Sequence, residues 1–306
     1  MRSSVSIPQS MFAERSLPLR SPVFRAGTLI ASLCVAMTLM SCGSNLFSFL
    51  ETSGGGSSAE EAQSLLDNAT TVAQFQQAAN LAQGIVSSNA TAEQKQEAYV
   101  VLGEALLGSA NVQMTTVLGD IADVASSNNA TVQDFISALP SADTNTLAAA
   151  ANAINAANNL STSTNEQISA DAQLFRGVTN ALVAVNLVQE VATFNNGQVD
   201  LQDTANIKAD INQLVVGTGT IQGVSTYVNA ADQGLSSADA LSSDQGKQVD
   251  NLVSASAELT VLNNTMQSTT NNVYTLSSGA TLNLTESNPS FSDNVSTALE
   301  DIFRSR

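Results

Sequence analysis

From residue 59 to about residue 267, apolar side chains recur at helical spacing, and the positions between them carry Asn, Gln, Ser and Thr more often than charge. That pattern predicts helix after helix. At Thr91 and Gln94 it opens with a capping box, in which the hydroxyl accepts from an N–H three residues on and the glutamine reaches back to the cap's own N–H. Ala98, Val101, Leu102, Ala105 and Leu106 follow at i, i+3, i+4, i+7 and i+8, so one face is apolar. A second start is predicted at Thr164 with Gln167, leading to Ile168, Leu174, Val178, Ala181, Leu182 and Val185. A third is predicted at Ser242 with Gln245, leading to Val249, Leu252, Val253, Leu259 and Leu262. Residues 177–194 are apolar nearly all round, the pattern of a helix at the centre of a bundle, while Asn180, Asn186, Gln189 and Glu190 argue against a bilayer span. Residues 273–285 alternate around a Ser-Gly turn and read equally as a hairpin or an irregular lid. Pro289 and Ser290 then precede a short terminal helix at 291–303.

The three starts share a form: a hydroxyl cap, one variable residue, a carboxylate and a glutamine, separated by 73 and 78 residues. The first two copies continue in parallel, so that Gly103 matches Gly177, and upstream Ala78 and Leu81 match Ala151 and Ile154. Part of the likeness is ordinary capping chemistry, since a carboxylate is favoured beside a helix start. A period near 75 is about twice a helical-hairpin repeat, so each copy is expected to hold two hairpins. Residues 98–106, with their Leu102-Gly103 pair, resemble the first helix of a tetratricopeptide repeat. The chain departs from that family at Thr115 and Gly119, where small residues are expected, and no proline closes the unit near Ser127. The resemblance implies a helical array like those of helical-repeat periplasmic lipoproteins, some of them associated with solute transporters, and assigns no ligand. The fold class expected is therefore all-α, a helical bundle or a short α-solenoid of degenerate hairpin repeats.

The amino-terminal segment has a different pattern. Arg2, Arg15, Arg20 and Arg25 precede an apolar run at 26–40 that is too short to cross a bilayer, and the run closes on Leu39-Met40-Ser41-Cys42. This resembles the lipobox of bacterial lipoprotein precursors. The resemblance implies cleavage between Ser41 and Cys42, a diacylglycerol thioether on Cys42, and a further acyl chain such as palmitate on the new amino terminus. Met1 and Met11 are both candidate starts. Gly43 follows the cysteine where an inner-membrane lipoprotein commonly carries aspartate, which favours the outer membrane, facing the periplasm or the surface, if the cell has two membranes. In a cell with one membrane the anchor would lie in that membrane. Residues 42–58 are rich in Gly and Ser and read as a tether with a reach of roughly 20 to 25 Å. The expected order is a signal peptide at 1–41, the lipidated tether at 42–58, a helical repeat domain at 59–270, and an irregular or hairpin segment with a short helix at 271–306.

Charge and composition narrow the function classes. Of 10 basic and 27 acidic residues, four arginines and Glu14 lie in the leader, which leaves six against 26 and a balance of −20 for residues 42–306. A chain without clustered Lys and Arg gains nothing from counterion release, so nucleic acid is not an expected partner, and a basic hold on anionic lipid is excluded likewise. There is no histidine and no tryptophan, and Cys34 and Cys42 are the only cysteines. That removes the usual zinc sites and the Ser-His and Cys-His nucleophile pairs. Asp120 with Asp123, and Glu93 with Glu97, share helical faces where a cation would be bridged, although carboxylates so placed usually face water.

The expected function is a lipid-anchored envelope lipoprotein, a non-enzymatic helical scaffold that binds an envelope protein partner. One alternative is a carrier for a small apolar or cationic ligand, with an interhelical pocket lined by Val, Leu and Ala and a negative rim. Another is a structural envelope lipoprotein. No cofactor is expected, and Cys42 is the one site residue assigned.

Overall fold

Two capping boxes start the first long hairpin. The computed structural model describes residues 58–126, 132–164, 167–195, 198–238 and 243–304, and the lipobox with Ser41 and Cys42 lies outside them. Helix α1 (Ser58–Asp67) leads into α2 (Val72–Val86) and α3 (Ala92–Ser109). Thr91 Oγ1 accepts from the Gln94 N–H at 3.3 Å, and Gln94 Oε1 accepts from the Thr91 N–H at 3.1 Å, as the sequence predicts. Thr71 and Gln74 make the same exchange at 3.4 and 3.0 Å, a start beyond those predicted. Along α3 the predicted face is buried at Ala98, Val101, Leu102 and Ala105; Val100 and Leu107 are buried as well, because α2 and α6 pack against α3.

The chain continues through α4 (Met114–Ser126), α5 (Val132–Ala138), α6 (Thr144–Thr164) and α7 (Ala170–Val191). Strands β1 (Ala192–Asn195) and β2 (Gln198–Leu201) follow, then α8 (Ile207–Val216), β3 (Gly217–Thr218) and β4 (Ile221–Gln222). The last elements are α9 (Val224–Ser237), α10 (Ser243–Gln267), β5 (Val273–Thr275), β6 (Thr281–Asn283) and α11 (Phe291–Arg304). The described residues are all-α in class, with three small antiparallel strand pairs as connectors.

The long helices pack in the order α2, α3, α6, α7, α9, α10, with α1 across α2 and α3 and α11 against α10. Three hairpins, α2–α3, α6–α7 and α9–α10, thus succeed one another. The second helix of each of the first two carries the glycine that the repeat pattern matched. A Cβ built on Gly103 would lie 3.2 Å from the Ala150 carbonyl of α6. One on Gly177 would lie 2.6 Å from Leu235 Cγ of α9, and one on Gly234 of α9 would lie 2.6 Å from the Gly177 nitrogen. At both junctions glycine lets one hairpin approach the next. Between them, the first period holds a second, shorter pair, α4 and α5, as the two-hairpin expectation has it, whereas the second period holds β1–β2, α8 and β3–β4 instead.

Helix α7 is the central element, buried almost continuously from Ala172 to Val188. Arg176, Asn180 and Asn186 find partners there, while Thr179 Oγ1 and Gln189 Oε1 are buried without one. Arg176, 6 % exposed, donates from Nε to Asn155 Oδ1 at 2.8 Å, from Nη2 to Gln233 Oε1 at 3.1 Å and from Nη1 to Gln173 Oε1 at 3.5 Å. Burial lowers its pKa, yet a guanidinium starts so high that it keeps its charge. Three amide oxygens rather than a carboxylate hold it, and they tie α6, α7 and α9 into one register. Asn186 donates to the Pro140 and Leu182 carbonyls and accepts from the Ala142 N–H.

One start differs from the sequence pattern. Thr164 is the last residue of α6, and α7 is capped at Ser169, whose hydroxyl accepts from the Ala172 N–H at 3.1 Å. The long interhelical face of α6 carries the helix through Thr164, and tertiary packing outweighs a local cap signal. Ser242 lies outside the described residues, and α10 begins at Ser243. Replacing either cap in use, Thr91→Ala or Ser169→Ala, is expected to cost about 1 kcal/mol in urea unfolding. A neutral Ser169→Ala would return the start of α7 to Thr164.

The sequence reading treats 59–270 as helical throughout, and two strand pairs within it correct that. After Val191 the backbone turns extended at Ala192, and β1 pairs with β2 so that the half-buried Phe194 stands opposite the buried Val199. Phe194 meets Phe303 edge-on at 5.3 Å, and the Val199 N–H donates to Glu300 at 3.1 Å, so this hairpin seats α11. The turn between β3 and β4 closes α8 onto α9, with the Gln222 N–H donating to the buried Tyr227 hydroxyl at 3.2 Å. Residues 273–285 do form a hairpin, with Tyr274 opposite Leu282 and the turn glycine Gly279 at φ 85°. Helix α11 runs as predicted, burying Phe291, Val295, Ala298, Leu299, Ile302 and Phe303.

Candidate functional site

Where α1 crosses α3, carboxylates on both helices face one cleft. Along α1, Glu60, Gln63, Ser64 and Asp67 stand at i, i+3, i+4 and i+7, a single helical face. Along α3, Glu97, Val101 and Glu104 stand at i, i+4 and i+7. Ala59, Glu60, Gln63, Ser64, Asp67, Glu97 and Val101 line a cleft of about 170 Å³. At about 30 Å³ per water it has room for about five or six waters.

Among the described residues, the helices that line this cleft carry mostly acidic side chains. Neither α1 nor α2 carries a basic residue, and α3 carries only Lys95 in its first turn. Gln63 is 6 % exposed and donates from Nε2 to Asp67 Oδ1 at 2.6 Å, while its Oε1 has no hydrogen-bond partner. Glu104 Oε2 is likewise sealed from solvent without a partner. Burial first, and the neighbouring Asp67 carboxylate second, push the Glu104 carboxyl up to about 8. Glu104 therefore holds a proton at neutral pH, and an added positive charge beside Asp67 would favour its release.

A raised carboxyl beside a second carboxyl group has the form of a general acid and its partner. The surroundings do not complete such a site. No aromatic residue lines the cleft for a sugar to stack on, and its volume lies below the range of about 300–1,000 Å³ common for drug-sized ligands. It suits a small ion held by charge.

The residues singled out from sequence separate. Cys42 and Ser41 lie outside the described residues. Glu93 stays exposed at the start of α3, where a backbone N–H and the Thr91 hydroxyl hold its carboxyl below the usual range. Glu97 turns into the cleft. Asp120 and Asp123 sit on α4, half-buried and exposed, and among the described residues no three or more His, Cys, Asp or Glu are placed to hold a metal. Glu60, Gln63, Asp67 and Glu104 were not singled out, although their seven-residue spacing on each helix was readable. What was not readable is that the two faces meet.

The apolar pocket expected between helices is nearly closed. Ile136, Val185, Val188, Val228, Leu259 and Phe303 surround a void of about 10 Å³, at the lower limit for one water. It is a packing gap at the junction of α5, α7, α9, α10 and α11. No helix among the described residues is long and apolar enough to cross a membrane. The chain matches no protein-family model, no curated protein and no solved structure.

Proposed function

We propose that this chain is a lipid-anchored cell-envelope binding protein without catalytic activity, with its ligand site in the acidic cleft between α1 and α3. The observation that carries the reading is the presence of three carboxylates, Glu60, Asp67 and Glu97, and the buried Gln63 amide around one small cleft. The anchor reading rests on the Leu39-Met40-Ser41-Cys42 pattern and on the Gly/Ser-rich residues that separate it from α1. Several acyl chains at one terminus hold far more firmly than one, so no second membrane contact is required. The cleft favours the small-cation form of the carrier reading; the apolar void between the helices, about 10 Å³, is too small for the apolar form.

A protein partner is the second reading. Val216, Val261 and Val273 are 50 to 65 % exposed on α8, α10 and β5, and α10 packs against both of the others. Cross-linking in intact envelopes followed by mass spectrometry is expected to recover one specific partner through that face if this reading holds, and none if it does not.

The anchor is tested by intact mass and detergent partitioning of the native protein beside Cys42→Ala. The native chain is expected to have the mass of residues 42–306 plus acyl groups, and the variant to keep its leader. A native chain without acyl groups would remove the envelope location.

A further inference from the structure

We propose that α2 pairs with α2 of a second copy of this chain, antiparallel about a two-fold axis at Asn80. The pairing does not depend on the acidic cleft. Helix α2 is the first of the array and packs against α1 and α3. Gln76, Gln77, Asn80, Gln83 and Gly84 are all exposed on it, at a spacing that makes one stripe along the helix, with Ala73 and Ser87 at its ends. The first argument for a second copy is charge. The chain has a net charge of −17, and a two-fold contact sets a face against itself, so an acidic face would oppose its own charge. Helix α2 has no ionisable residue, whereas its neighbours α1 and α3 are both acidic. The second argument is hydrogen bonding. Gln76, Gln77 and Asn80 have no hydrogen-bond partner among the described residues, and Gln83 uses only its Nε2, on Ser87 Oγ at 3.2 Å. An amide both donates and accepts, so it pairs with its own kind, which a carboxylate cannot do.

The third argument is shape. Antiparallel pairing about Asn80 sets Gln77 against Gln83, Ala73 against Ser87, and the long Gln76 against Gly84. Nothing lies within 4 Å of a Cβ added at Gly84, so packing within the chain does not require the glycine, and a glycine inside a helix is weaker than alanine. The space beside it admits Gln76 of the other copy. A stripe about 21 Å long and about 10 Å wide buries far less than the standard interface of about 800 Å² per partner. The pair is therefore a weak one, formed where copies are crowded, as chains tethered to one surface are.

Disulfide trapping in the purified full chain at about 1 mM, where a millimolar contact is half formed, tests this. The parent chain sets the background from Cys34 and Cys42. Asn80→Cys is expected to give linked dimers about tenfold above that background and above Gln213→Cys, an exposed control on α8. A mixture of Gln77→Cys and Gln83→Cys chains is expected to link about tenfold more than either alone, because in the antiparallel register each meets the other and neither meets itself. Adding Asn80→Glu to both chains of that mixture sets two carboxylates together and is expected to lower the linkage about fivefold, with the helical melting curve unchanged. Linkage of Asn80→Cys no greater than that of Gln213→Cys would overturn the pairing. Equal linkage of Gln77→Cys alone and of the mixture, or linkage indifferent to Asn80→Glu, would overturn it as well.

Discussion

Replacing Gly234 by alanine is expected to destabilise the protein by about 3 kcal/mol, although the same exchange usually strengthens a helix. At Gly234 the new methyl carbon would lie 2.6 Å from the Gly177 nitrogen, 2.7 Å from the Gln173 carbonyl oxygen and 2.8 Å from the Gly177 Cα. All three are backbone atoms of α7. No side chain can swing away, so α7 and α9 must separate along their whole contact. That separation would also stretch the bond from Arg176 to Gln233 across the same interface. Gly84 provides the control. It is exposed on α2 with nothing within 4 Å of an added Cβ, so Gly84→Ala is expected to stabilise by about 0.5–1 kcal/mol. Urea unfolding of the two variants beside the parent gives opposite signs if the helices cross at this glycine. A neutral Gly234→Ala would mean that the hairpins meet elsewhere.

The stability of the protein is expected to fall as pH rises from about 4.5 to about 8, and Glu104→Gln is expected to remove much of that slope. The sign follows from which state holds the proton. Above about 4.5 the unfolded chain loses it, while the folded chain keeps it until about 8. In that window the folded state binds more protons, so stability is full below the unfolded value and is lost as pH climbs through the folded one. Each pH unit contributes at most about 1.4 kcal/mol, and the whole interval a few kcal/mol. Glutamine cannot ionise and keeps the shape of the protonated acid. Glu104→Gln is therefore expected to match the parent near pH 4 and to exceed it by a few kcal/mol at pH 8. Thermal unfolding across that range reads it directly. Parallel curves for the two proteins would show that Glu104 titrates normally and that α1 does not seal it.

What the linear pattern could disclose was local or periodic. The Thr91 cap, the apolar face of α3 and the all-round burial of α7 depend on spacing within one helix, and each was legible before any packing was known. The match of Gly103 to Gly177 was legible too, as a pattern without a role. Its role needed the third dimension, because a glycine is informative only when the atoms opposite it are known, and those belong to α6 and α9, tens of residues away. Thr164 shows the limit of local signals. Its capping motif is well formed, yet α6 runs through it because burying that helix outweighs a bond worth about 1 kcal/mol.

The cleft divides in the same way. Carboxylates seven residues apart on α1 and on α3 are written in the chain, and so is the scarcity of basic residues around them. That Glu104 is sealed, that Asp67 is its neighbour, and that both faces meet over a space of small-molecule size depend on how α1 crosses α3, and no spacing within either helix contains that crossing. Periodicity encodes which side of a helix is buried; only the packed chain decides what it is buried against, because the free energy of that choice is a sum over contacts distant in sequence.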